Sequence, residues 1–265
     1  MANHLKQAMI YENDERYQDA ISEYELAILE EPENPKPYLL RAMLFDEGAQ
    51  FFEALSDCDS AIKLKADDPV ALNLRGEVLS SLGRFDDAIV DFTAALSEDT
   101  ALSEDATLSE DPTNAIYFYN RGLAYAALGK LDEAASDLSE AVRLDPLYGG
   151  AYNNLGLVHY RLGDYPAAFY DFTKAVEVRK GFACSFTHRG KVLEQMGDDH
   201  AALADYDEAL KINPLDADSL FYRAKLLLKF GKIDEAIKNL ELLLEAAPKN
   251  NQLRALAMDE LNKLK

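Results

Sequence analysis

Histidine, cysteine and basic charge are all in short supply in this chain, and each shortage excludes something. The four histidines, His4, His159, His188 and His200, form no i,i+4 pair. No HExxH, CxxC, phosphate-cradling glycine loop or nucleophile elbow occurs. No catalytic residue, metal ligand or cofactor is therefore assigned, and a non-enzymatic protein is expected. The two cysteines, Cys58 and Cys184, lie far apart, which argues against a disulfide framework and for reduced thiols in a cytoplasmic setting. No apolar run approaches the ~20 residues that span a bilayer, and the opening Met1-Ala-Asn-His-Leu-Lys lacks the apolar core and cleavage site of a secretory signal. Lysine and arginine number 27 against 48 acidic residues, a net charge of -21. Nucleic acids and anionic membranes are recognised through basic side chains, so both are poor partners. The acidic balance serves plain solubility or steers a positively charged partner.

What is abundant is repetition. An alanine returns every 34 residues as Ala20, Ala54 and Ala88, then as Ala134, Ala168, Ala202 and Ala236, with a single excess of 12 residues between Ala88 and Ala134. Twelve places earlier stands a small residue: Ala8, Ala42, Gly76, Gly122, Gly156, Gly190 and Ala224. Seven places later come Ala27, Ala61, Ala95, Ala141, Ala175, Ala209 and Leu243. Glycines recur between the two apolar-periodic stretches as Gly83, Gly129, Gly163, Gly197 and Gly231, and prolines mark unit ends at Pro32, Pro112, Pro146, Pro214 and Pro248. Each unit reads as helix, glycine turn, second helix and proline-marked link. The small columns let paired helices approach closely. Acidic pairs such as Asp86-Asp87, Asp132-Glu133 and Asp234-Glu235 sit at second-helix starts, where they favour the helix dipole. A fixed period of this size signals a stack of helix pairs rather than separate globular domains.

This pattern resembles the tetratricopeptide repeat family, most fully over Phe118-Tyr-Asn-Arg-Gly-Leu-Ala-Tyr125 and on through Leu131, Ala134 and Ala141 to Pro146. The resemblance implies an all-α, right-handed superhelical solenoid. Seven units are placed at residues 1–34, 35–68, 69–102, 115–148, 149–182, 183–216 and 217–250, with 251–265 as a capping helix. The family pattern is departed from in places: the closing proline is Ala66, Thr100 and Lys180 in three units, and the early aromatic is His4 and Leu72 in two.

Between the third and fourth units one hexapeptide is written three times: Ala95-Leu-Ser-Glu-Asp-Thr, Ala101-Leu-Ser-Glu-Asp-Ala and Thr107-Leu-Ser-Glu-Asp-Pro112. A continuous helix would turn the next unit ~120° out of phase over the added residues. The segment at about 101–112 is therefore expected to loop, with a short helical extension, either as a passive duplication or as an acidic docking loop.

A second periodic pair carries opposite charge. Arg41, Arg75, Arg121, Arg189 and Arg223 share one column, and sixteen places on stand Asp57, Asp91, Asp137, Asp205 and Asn239. In the fifth unit Leu155 replaces the arginine while Asp171 remains. Matched recurrence predicts a ladder of bidentate Arg–Asp contacts between helices rather than an arginine array for anions.

The resemblance also implies a binding surface, because the first helices of such repeats line a concave wall. On this chain the wall comprises Asn73, Glu77, Tyr119, Asn120, Leu123, Asn153, Asn154, Leu157 and Tyr160, then Thr187, His188, Lys191, Glu194, Phe221, Tyr222, Lys225 and Lys229. Asparagine can hold a peptide backbone whatever its side chains, and tyrosine and leucine can take apolar ones. Arg161, His188, Lys191, Lys225 and Lys229 gather basic character towards the carboxyl end. The lysine–asparagine clamp by which chaperone-binding members grip a terminal carboxylate is not matched: Asn73, Glu77, Asn120, Gly150 and Asn154 stand at its places, and only Asn120 agrees. The expected function is a scaffold or adaptor holding a peptide or partner helix. The alternatives are self-assembly through Leu5, Met9 and Ile10 of the first helix, or service as a regulatory subunit of a larger complex.

Overall fold

The structure, a computed structural model, describes residues 3–102, 112–179 and 181–264. It divides into two compact units, residues 1–145 and 146–265. The first holds α1 (Asn3–Asn13), α2 (Tyr17–Glu30), α3 (Pro35–Glu47), α4 (Phe51–Leu64), α5 (Pro69–Ser81), α6 (Phe85–Leu102), α7 (Pro112–Ala127) and α8 (Leu131–Leu144). The second holds α9 (Gly149–Leu162), α10 (Tyr165–Val178), α11 (Ala183–Met196), α12 (Asp199–Ile212), α13 (Ala217–Lys229), α14 (Ile233–Ala246) and α15 (Gln252–Lys263). All described secondary structure is helical, as the resemblance implies.

Within each unit, successive helices pack as antiparallel-type pairs joined by short turns, and each pair packs on the next. First helices also touch one another directly: α3 on α5 and α5 on α7 in the first unit, α9 on α11 and α11 on α13 in the second. Each unit therefore has one layer made of first helices, and this layer carries the expected wall residues. α15 packs on α14 and α13, adding Ala257, Leu253 and Leu261 to the apolar cluster of Leu227, Leu240 and Leu243.

The turns have a common cause. Gly83, Gly129, Gly163, Gly197 and Gly231 all take φ between 74° and 85°, the left-handed region that ends a helix at least cost when no β-carbon is present. Beyond each, a backbone N–H reaches back five residues, as Arg84 does to the Leu79 carbonyl at 2.8 Å. The first two turns keep the same geometry without glycine: Glu15 has φ 58° and Ala49 φ 55°. First helices start on polar caps where the link supplies one. Asn34, Asp68 and Asp216 accept from backbone N–H groups of the turn they open.

The small columns are packed as expected. A β-carbon on Gly76 would lie 2.5 Å from the ring of Phe92, and one on Gly190 would lie 2.6 Å from the ring of Tyr206. Where the opposing residue is small, alanine stands instead, as Ala42 does with Cys58 in one buried cluster. The first and last pairs depart from this rule, since Ala8 shares its cluster with the fully buried Tyr24 and Ala224 with the fully buried Leu240.

Around the duplicated hexapeptide, α6 continues to Leu102 and so supplies a helical extension. α7 begins at Pro112, three residues before the 115 of the repeat frame, because proline is accepted at the first helical position. The expected loop itself falls on residues 103–111, which lie outside the described residues. No helix among the described residues is long and apolar enough to cross a membrane.

Candidate functional site

The Arg–Asp ladder is present and has a second arm. Arg41, Arg75, Arg121 and Arg189 each grip their own pair's aspartate through two N–H groups at 2.7–2.8 Å, on carboxylates that are almost wholly buried. The remaining guanidinium N–H of three of them reaches the second helix of the preceding pair, at Asp59, Thr93 and Thr173. Arg223 divides its contacts between Asn239 and Asp207. All five arginines are occupied in joining helices, and hydrogen bonds to the aspartates hold the charge of Arg41, Arg75, Arg121 and Arg189.

The fifth pair solves the same problem differently. Leu155 is buried, and the carboxylate of Asp171 receives the Nδ1 of His159 at 2.6 Å. His159 lies one helical turn beyond Leu155, at a column filled elsewhere by Tyr11, Phe45, Leu79, Tyr125, Leu193 and Leu227. The apolar and polar positions have exchanged places on one helix face. Burial pushes the Asp171 carboxyl up to about 6, against the opposing pull of His159.

The wall residues separate by burial. In the first unit, Asn73 is buried, and its side-chain amide donates to Glu77 Oε1 at 3.0 Å. Asn120 on α7 donates to the same Glu77 oxygen at 2.6 Å and to Asn73 Oδ1 at 3.1 Å. These three side chains lock α5 to α7. Burial raises the Glu77 carboxyl above the ordinary range, the two amides oppose that rise, and Asp46 adds to it. Tyr119 and Leu123 stand half-buried beside the network.

In the second unit, Asn153 is buried and accepts from Ser185 Oγ at 3.1 Å, with the His188 ring nitrogen also at 3.1 Å. Thr187 and Phe221 are buried too. Asn73, Asn153, Thr187 and Phe221 are thus covered by neighbouring helices, and their side chains are engaged in contacts within the layer. Asn154, Leu157, Tyr160, Glu194 and Tyr222 are half-buried and Lys225 is exposed.

The gathering of basic character is largely cancelled. Lys191 pairs with Asp218 at 2.9 Å and its ammonium lies 4.2 Å from the Tyr222 ring centre. Lys229 pairs with Asp199. Burial drives His188 down to about 4, so at neutral pH its ring carries no charge.

The sequence columns missed one feature of the first unit. A cavity of about 440 Å³ opens among α3, α5, α6 and α7, lined by Asp46, Glu77, Ser80, Phe85, Phe92, Asn120 and Leu123 among others. Asp46 occupies the column of Tyr160, and that shared position was the available signal.

A family model for the tetratricopeptide repeat matches residues 73–148, 119–181 and 188–251. No curated protein matches the chain significantly. Among solved structures, PilW, described as a widely conserved type IV pilus biogenesis factor, aligns with a TM-score of 0.71 at 22% identity over 82% of this chain and 94% of its own. YrrB, described as a TPR protein with an unusual peptide-binding site, aligns with a TM-score of 0.58 at 24% identity over 74% and 95%. A tetratricopeptide repeat protein from Parabacteroides merdae aligns with a TM-score of 0.70 at 16% identity over 97% of both chains. At these identities the structures bear on the fold, whereas the family model covers most of the sequence. The chain belongs to the tetratricopeptide repeat family.

Proposed function

We propose that this protein is a non-enzymatic interaction scaffold that holds a peptide or partner helix against the layer of first helices. The observation that carries the reading is the preformed character of that layer. Side-chain bonds from Asn120 to Asn73 and Glu77, and from Ser185 to Asn153, tie neighbouring first helices together, so the outward side chains are already positioned. A preorganised wall loses little conformational freedom on binding, which favours affinity from many modest contacts. In the first unit Glu77, Tyr119, Asn120 and Leu123 meet the partner; in the second, Asn154, Leu157, Tyr160, Lys191 and Lys225 do so. The seven-unit division with 251–265 as its cap belongs to this proposal, as does a cytoplasmic setting with both cysteines reduced. Members of this family are generally non-catalytic scaffolds, and YrrB is described as binding peptide.

Site-specific photocrosslinking in cells of the source organism tests the reading. A crosslinking phenylalanine analogue is placed at Tyr119 or Tyr160 on the wall, and at Val90 or Tyr170 on second helices, which are 66% and 58% exposed. A partner band from the wall positions alone supports the proposal. Bands only from Val90 and Tyr170 place binding on the other face and end it.

Self-association is the second reading, favoured by an apolar cavity of about 350 Å³ beside Leu5, Met9, Ala27 and Pro37, with Met9 43% exposed. A monomeric mass in light scattering at every concentration tried would remove it.

A further inference from the structure

The cavity among α3, α5, α6 and α7 has an unusual carboxylate. In two other helix pairs the column of Asp46 holds a glutamate that is occupied by a tyrosine twelve residues on: Tyr24 donates to Glu12 at 2.8 Å, and Tyr206 donates to Glu194. In the pair of Asp46 the tyrosine column is filled by Cys58, which is fully buried. The thiol is a weak donor, and burial together with neighbouring carboxylates pushes it up to about 12. Asp46 Oδ1 is accordingly shielded from solvent without a hydrogen-bond partner, and so is Ser80 Oγ across the same cavity. A buried, unsatisfied acceptor carries a desolvation penalty that a ligand donor or cation relieves.

The surroundings define what such a ligand is. Glu77 adds a second carboxylate to the cavity lining, and among the described residues no ion pair reaches either Asp46 or Glu77. Phe85, Phe92, Leu123 and Ala124 supply an apolar wall beside the acidic end. Two uncompensated carboxylates next to an apolar wall fit a cationic head on an alkyl stem. An anionic or a purely apolar group would leave the same acceptors unmet.

From this arrangement we infer that the cavity is a subsite for a basic side chain, lysine or arginine, of a bound peptide. The inference rests on the wall-binding proposal and specifies the chemistry of its partner at one place. The net charge of -21 works in the same direction by drawing basic segments towards the chain.

The test uses the full chain and three capped alanine pentapeptides whose central residue is lysine, norleucine or glutamate. Amide chemical shifts are followed by NMR at millimolar peptide. The lysine peptide is expected to move amides of α3, α5 and α7, and the glutamate peptide to leave them still. Asp46→Asn combined with Glu77→Gln is expected to weaken the lysine peptide about tenfold and to leave the norleucine peptide unchanged. The Glu77→Gln change keeps an acceptor for Asn73 and Asn120, and a thermal melt checks folding. Should the double variant not fold, salt decides on the native chain: lysine binding must weaken with sodium chloride while norleucine binding does not. Equal binding of lysine and norleucine, or binding indifferent to both substitutions, overturns the inference and leaves the wall proposal standing. Absence of any shift also overturns it, while the crosslinking experiment, which uses none of these peptides, judges the wall separately.

Discussion

Arg75 holds two carboxylates at once: Asp91 on the second helix of its own pair at 2.7 Å, and Asp59 on the second helix of the preceding pair at 2.8 Å. The guanidinium fork is suited to this because its donors are planar and diverge. Asp91 is 4% exposed, and the arginine meets both of its carboxylate oxygens. Arg75→Ala leaves a buried carboxylate uncompensated and should cost about 3 kcal/mol or more. Arg84→Ala removes an exposed i,i+3 contact with Asp87 and should cost under about 1 kcal/mol. Urea unfolding of the two variants side by side measures the difference. Equal losses would mean that the buried rung does no more than a surface pair.

Much of this was legible in the sequence, for a physical reason. A stack of similar units repeats its contacts, so residues that meet within a pair recur at constant spacing. Arg121 and Asp137 announce themselves in that way, as do the glycines of positive φ. Contacts between helix pairs are harder to read, because a second arm from Arg121 to Thr93 or from Arg75 to Asp59 keeps geometry while changing chemistry. Exchanges within a pair are harder still. In the sequence His159 reads as a stray histidine, although the loss of arginine at Leu155 with retention of Asp171 marks the pair as altered. The burial of individual wall residues is not legible in the sequence for one reason. Column position places Asn73 and Asn153 on first helices but does not say that neighbouring helices cover them.

The His159–Asp171 rung should make the second unit respond to pH. The Asp171 carboxyl is raised by burial to about 6, with Asp164 adding and His159 opposing. A carboxyl that binds its proton more tightly when folded stabilises the fold below its ordinary range, and that contribution is lost as pH rises through the folded value. The native chain should therefore gain stability relative to Asp171→Asn as pH falls from about 7 towards about 4. Urea midpoints of both chains at several pH values report it. A difference that stays constant across that range would show that Asp171 does not titrate within it.

Ala49 adopts φ 55° at a turn where five other pairs use glycine. The left-handed conformation costs an L-residue about 1–2 kcal/mol, part of which is recovered because alanine restricts the unfolded chain. Ala49→Gly should stabilise by about 0.5–1 kcal/mol, and Gly83→Ala should destabilise by a similar amount. Beyond its immediate chain neighbours nothing lies within 4 Å of where the new β-carbon at Gly83 would stand, so the loss would come from backbone strain rather than a packing clash. Opposite shifts in melting temperature are the expected result. Shifts of the same sign would locate the effect elsewhere.

Gly76 and Phe92 share one volume, and the alternative division of that volume already exists one pair earlier. A β-carbon on Gly76 would stand 2.5 Å from Phe92 Cε1, and the ring is 1% exposed, so it cannot swing away into solvent. Gly76→Ala should cost about 1–3 kcal/mol by overpacking, against the small gain that alanine brings to a helix interior. At the corresponding positions Ala42 packs with Cys58 without conflict. Phe92→Cys alone should leave a cavity and cost about 3 kcal/mol. Gly76→Ala with Phe92→Cys copies the earlier pair, so the two losses should fall short of adding by at least about 1 kcal/mol. A double-mutant cycle in urea measures that coupling. Full additivity would mean that the glycine column is set by something other than the ring opposite it, a conclusion for which the Ala8 and Tyr24 cluster offers the natural place to look next.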